Sequence, residues 1–134
     1  MNVMFDINVV LDIVARRQPF YESSRAAFLK VVGDGDRPCV SAHAFATLYY
    51  LLGEASTRKQ RDAAMKWIFE YFGVVGLGEA EVSAARGYGL SDFEDALVVA
   101  AAVASKCRCI LTRNVRGFRG SVVKAMDPAE FVSR

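Results

Sequence analysis

The chain has 134 residues, 53% hydrophobic and 24% charged, with a formal net charge of +2. That is one domain's length with enough apolar side chains for a core, which argues against disorder, and so small a net charge excludes a global field for nucleic acid. The apolar N-terminal stretch carries Asp6 and Asp12 and lacks a basic leader, so neither a signal peptide nor a membrane span fits; three cysteines, an odd count, suit reduced thiols in a cytoplasmic protein.

In chain order, residues 3–5 predict a first strand that turns into a short helix at 9–15. Pro19 breaks the chain, helical periodicity follows at 22–32, and the run Gly33-Asp34-Gly35-Asp36 stops it. A short strand at 39–41 leads into an apolar helix at 44–52 and a second helix at 58–71, with Ser56 or Thr57 as cap and Gly73 as stop. Residues 74–77 read as a strand and 79–85 as a helix. Ser91-Asp92-Phe93-Glu94 has the pattern of a capping box opening an Ala-rich helix to about 105. A strand at 109–112, a loop at 113–120 and a strand at 121–126 follow, and Asp127-Pro128 starts a last helix. Strands that are continuous apolar runs, alternating with helices, predict a single α/β domain with a mainly parallel sheet covered on both faces.

Charge and cysteine placement add little by themselves. No Asp or Glu occurs from Ala96 to Met126, a stretch carrying Lys106, Arg108, Arg113, Arg116, Arg119 and Lys124. Such a segment can attract a phosphate backbone or be an ordinary solvated loop. Cys107 and Cys109 sit two apart on a predicted strand, where alternate residues share a face. One further Cys and a single His leave a zinc site short of ligands, so all three read as small buried hydrophobes.

Ligands of an open parallel sheet bind beyond the carboxyl ends of its strands. Asp6 is expected there, after the first strand, and Asn114 just past the strand at 109–112. Asp92 and Asp95, three apart at a helix start, share one face. Converging carboxylates repel unless a cation intervenes, and Mg²⁺ or Mn²⁺ suits a few protein oxygens completed by water and phosphate. Each acid also has a plainer role: Asp6 as cap of the following helix, Asp92 as partner of a helix dipole, Asn114 as a turn former, Glu94 as the end of the capping box. Asp12 reads as solvated or capping, and His43 as a cap or surface residue.

The stretches FDINVVLD at Phe5, VSAHAFATLYYLL at Val40, DFEDALVVAAAVA at Asp92 and ILTRNVRGF at Ile110, in that order and followed by DPAEF, resemble the PIN-domain family, which includes VapC-type toxins of bacterial toxin–antitoxin pairs. The resemblance implies a three-layer α/β/α sandwich and a metal-dependent ribonuclease site of three or four acids. Asp6 matches the first acid and Asp95 the acid of the DA step; Asp92 is an added ligand one turn earlier. Thr47 stands where the family usually has Glu, and Asn114 where it usually has Asp. The expectation is a thinned site: Asp6, Asp92 and Asp95 holding Mg²⁺ or Mn²⁺, Asn114 beside them, Asn8 and Thr47 in support, and Arg113, Arg116 and Arg119 on the RNA backbone. The alternative is a non-catalytic PIN-like module that binds RNA or protein. A phosphatase-like reading lacks a second Asp, since Asp6-Ile7-Asn8 has none. The apolar helices at 44–52 and 58–71 lead us to expect a homodimer or an antitoxin peptide in a groove along them, unless the two helices cover each other.

Overall fold

The computed structural model describes residues 1–134, apart from the side chain of Ala55. β1 (Asn2–Phe5) gives way to α1 (Ile7–Val14) at Asp6, the last extended residue, whose side chain caps the helix by accepting the Ile7 N–H. Then come α2 (Tyr21–Gly33), β2 (Arg37–Ser41), α3 (Ala44–Ala55), α4 (Arg58–Tyr71), β3 (Gly73–Val75), α5 (Glu79–Arg86), α6 (Phe93–Ala104) and β4 (Cys107–Leu111). A 3-10 turn (Val115–Phe118), β5 (Ala125–Met126) and α7 (Pro128–Val132) complete the chain. All strand pairs are parallel, in the order β3-β2-β1-β4-β5, so β1 lies in the middle.

The strand pleat sends alternate residues to two cores, giving three layers. Val3, Phe5, Val40 and Leu111 pack with α1, α2, α3 and α4; Met4, Cys39, Cys107 and Ile110 pack with α6. Phe5 meets Phe72 and Phe28 edge-on, at ring separations of 5.2 and 6.4 Å. All three cysteines are free and buried, as expected of small hydrophobes. Cys107 and Cys109 do not share a face, however: they fall in opposite cores. Asn2 pairs with Cys107 while Met4 pairs with Ile110, and the extra residue on β4 reverses the alternation.

Two other expectations are corrected. The strand at 121–126 shrinks to Ala125–Met126, because Ser121 Oγ takes the Val123 N–H and donates to the Val123 carbonyl, closing a local turn. The cap of α6 is Asp92, not Ser91, and there is no capping box: Asp92 Oδ1 accepts from the Glu94 N–H at 2.8 Å. On α4, Thr57 is the cap and forms a complete box with Gln60. α3 and α4 cover each other in part, with Phe45 stacked on Phe69 at 5.0 Å and Leu48, Leu52 and Ile68 buried, yet Tyr50 and Phe69 remain exposed. Among the described residues no helix is long and apolar enough to cross a membrane.

Candidate active site

Asp6 follows the central strand and is 4% exposed. Its Oδ1 accepts from the Ile7 N–H at 2.8 Å, and its Oδ2 accepts from Thr112 Oγ1 at 2.8 Å and Asn8 Nδ2 at 3.4 Å. Burial raises its pKa, the Thr112 and Ile7 bonds oppose the rise, and the charge of Glu94 adds to it. Asp95, in the first turn of α6, is 6% exposed. Its carboxyl is pushed up to about 7, first by burial and then by the charges of Asp6, Asp92 and Glu94. On α6 the small residues Ala101 and Ala102 pack with Met4, Cys39 and Ile110 of the sheet, while Ala96 and Ala100 pack against Ala85 of α5. Asp6 and Asp95 thus become electrostatic neighbours, as the topology argument expects.

The segment after β4 wires both acids. Thr112 Oγ1 donates to Asp6 and accepts the Asn114 N–H at 3.0 Å; Asn114 Nδ2 donates to Asp95 Oδ2 at 3.4 Å. Gly117 closes against this pair: a Cβ there would lie 2.7 Å from Asp95 Oδ2 and closer still to Asn114 Nδ2. The need for glycine here arises from packing and is invisible in the motif.

Other expected site residues are placed differently. Arg113 does not point outward. Its guanidinium grips the fully buried Asp12 at 2.8 and 3.2 Å and lies 3.8 Å above the Phe20 ring. Asp12 is therefore neither solvated nor a cap; it is a core carboxylate that also accepts from Ser24 Oγ at 3.1 Å. Asp92 is exposed at the start of α6, where its charge still reaches Asp95. Thr47 is exposed on α3 and makes no side-chain hydrogen bond among the described residues, and Glu54, also exposed, lines a separate hollow.

Besides Thr112 and Gly117, which sequence reasoning did not single out, it misread two residues. Glu94 completes no box, and its charge acts on both Asp6 and Asp95. His43 makes no capping bond: its Nδ1 shares a 2.6 Å hydrogen bond with Ser41 Oγ, its Nε2 is buried without a partner, and the charge of Asp6 acts on the ring. Arg116 and Arg119 are exposed and, with Lys124, line a hollow of about 570 Å³ beside the 3-10 turn. None of these three cations pairs with a carboxylate among the described residues.

Two buried carboxylates, each with its pKa raised by burial and the charge of Asp6 acting on Asp95, suit a hard divalent ion, which needs only one or two carboxylates when water and phosphate complete its shell. Among the described residues no three His, Cys, Asp or Glu side chains gather closely enough to cage a metal. The fit is therefore to a sparsely held ion.

The fold is shared with solved structures. A VapBC2 complex from Rickettsia felis bound to promoter DNA aligns with a TM-score of 0.69 at 14% identity, covering 95% of this chain and 98% of that one. FitAcB from Neisseria gonorrhoeae gives 0.72 at 18% identity, covering 94% and 97%. VapBC-1 from nontypeable Haemophilus influenzae gives 0.67 at 18% identity, covering 96% and 98%. No curated protein is significantly similar in sequence. The family model for the PIN domain matches residues 2–116, a span that takes in Asp6, Asp95 and Asn114, and the chain belongs to the PIN-domain family.

Proposed function

We propose that the protein is a ribonuclease of toxin type that depends on Mg²⁺ or Mn²⁺ and hydrolyses RNA phosphodiesters. The observation that carries this reading is the pair Asp6 and Asp95, both buried at the carboxyl edge of the sheet and tied together through Thr112 and Asn114, with the charge of Asp6 acting on Asp95. When bound there, the ion supplies positive charge for the phosphoryl oxygens and an activated water. The chain's own residues do the rest. Thr112 and Asn8 orient Asp6, and Asn114 orients Asp95. Asp92 and Glu94 deepen the negative field that draws the ion in. Arg116 and Arg119, joined by Lys124, hold the phosphate backbone beside the acids.

Mn²⁺ is expected to raise the melting temperature and to support cleavage of a mixed RNA pool that EDTA stops. Asp6→Asn removes both effects, with cleavage falling at least about a hundredfold, since even the outer partners of a metal ligand are worth 10–100-fold. A wild-type protein that shows neither effect would favour the second reading, a non-catalytic PIN-like module binding RNA or protein. That reading draws support from the neutral Thr47 and Asn114 and from the missing third caging acid.

RNA affinity should fall steeply with salt through counterion release. Changing Arg116, Arg119 and Lys124 to Gln is expected to flatten the log–log slope by about 2, from roughly 0.7 per contact on single strands. An unchanged slope would move the RNA elsewhere on the surface.

Two partners are part of the proposal. The similar solved structures include toxin–antitoxin complexes, and here a hollow of about 870 Å³ runs between the end of α1, α3 and α4. Leu11, Val14, Leu51 and Trp67 line it, with Arg16 and Arg17 among its polar groups, which would suit an apolar antitoxin segment carrying acidic residues. The exposed Tyr50 and Phe69 support a homodimer. Sedimentation of the isolated chain at high micromolar concentration is expected to give a dimer mass; a strictly monomeric boundary would remove the dimer and leave only the antitoxin partner.

A further inference from the structure

We propose that Asp12 and Arg113 form a positioning lock for the candidate site, and that Arg113 acts on the two acids through the backbone rather than on the substrate. The inference rests on the metal-dependent reading of Asp6 and Asp95 given above. Its basis is a continuous set of contacts. Asp12 is 0% exposed on α1, and Arg113 reaches it with two nitrogens, Nε at 2.8 Å on Oδ2 and Nη2 at 3.2 Å on Oδ1. The open face of the guanidinium lies on the Phe20 ring. Ser24 Oγ supplies another donor to Asp12, and Arg17 approaches it at 3.9 Å.

A planar fork held on both oxygens and stacked on an aromatic ring has little freedom, and lysine cannot reproduce that geometry. Because the side chain is fixed, so is the backbone that bears it. The Arg113 N–H donates to Asn8 Oδ1 at 3.2 Å, and Asn8 Nδ2 donates to Asp6. On either side of Arg113, Thr112 bonds Asp6 and Asn114 bonds Asp95. The lock therefore sets the height of a three-residue segment whose two flanking side chains each hold one of the acids. A metal site tolerates little error in the groups that orient its ligands. An RNA-binding role would leave the guanidinium free, and here its Nε and Nη2 are on Asp12 and one of its faces lies on Phe20.

The test is a double variant, Asp12→Leu with Arg113→Met, which removes the pair without stranding a buried charge and so is expected to fold. In this variant the backbone amides at positions 113 and 114 should exchange with deuterium at least ten times faster than in wild type, with the amides of β1 and β4 unchanged. The Mn²⁺ concentration giving half the rise in melting temperature should increase at least tenfold. The salt slope of RNA binding should stay the same. Arg113→Lys, which keeps the charge and loses the fork, should fall between wild type and the double variant. Wild-type exchange at positions 113 and 114 in the double variant would overturn the lock, and so would a flattened salt slope, which would put Arg113 on the RNA. If wild-type protein itself shows no Mn²⁺ response, the metal reading fails, and the exchange result alone decides the lock.

Discussion

Asp95→Asn is expected to stabilise the metal-free protein at pH 8 while abolishing its response to Mn²⁺. Asp95 has a folded pKa of about 7 against an ordinary value of 3.8, caused first by burial and then by the charges of Asp6, Asp92 and Glu94. An acid with a raised folded pKa binds its proton more tightly in the native state. Its stabilising contribution is complete below pH 3.8, declines as pH rises through the window to about 7, and above that the ionised group is a net penalty. Asparagine keeps the shape, can present its carbonyl oxygen to Asn114 Nδ2, and carries no charge. Allowing for screening by solvent at this open edge, the gain is about 2 kcal/mol at pH 8, or roughly 6 °C in melting temperature. Thermal melts in EDTA at pH 5, 6, 7 and 8 should show wild-type stability declining relative to the variant, and the same series with Mn²⁺ should reverse the order. A variant less stable than wild type at pH 8 without metal would mean that burial and the neighbouring charges do not strain Asp95.

Arg113→Ala is the substitution expected to cost most among those outside the hydrophobic core. It leaves Asp12, fully buried, with a serine hydroxyl and a distant, half-exposed Arg17. Breaking a buried ion pair from one side costs about 3–5 kcal/mol, because the remaining charge is uncompensated; Arg17 and Ser24 place this case near 3. The stack on Phe20 is lost as well. Asp12→Leu in the Arg113→Ala background should recover much of the loss, since no charge then remains in the core. Urea denaturation of the two single variants and the pair would measure the coupling. Additive costs would show that the two residues do not act as a pair.

The layered fold was legible because it rests on local signals. Short apolar strands, Gly and Pro punctuation, and caps such as Thr57 and Asp127 are written in neighbouring residues. The nearness of Asp6 to Asp95 could be read from the strand order, which sets the ends of β1 and β4 side by side, and the cap that Asp6 makes on α1 was local as well. What escaped was set by partners distant in sequence. Nothing near Asp12 announces an arginine 101 residues later in the sequence, so a buried ion pair looked like two surface charges. Glu94 satisfied a local capping pattern and gave no hint that its charge acts on Asp6. The inversion of Cys107 and Cys109 comes from a register shift against β1, which no strand shows by itself. Gly117 was unreadable because the side chains it makes room for belong to Asp95 and Asn114.

The central place of β1 has a consequence for the birth of the molecule on the ribosome. Asp6 takes its hydrogen bond from Thr112, a residue 106 positions later, and its own N–H waits for the Leu111 carbonyl. Until that late segment emerges, β1 can pair only with β2, and Asp6 and Asp95 have nothing to set them side by side. A nascent or truncated chain ending before β4 would carry Asp6 and Asp95 without the Thr112 and Asn114 bonds that join them. On the proposed reading as an RNA-cleaving enzyme, this would keep each copy inert until the segment after β4 has been made.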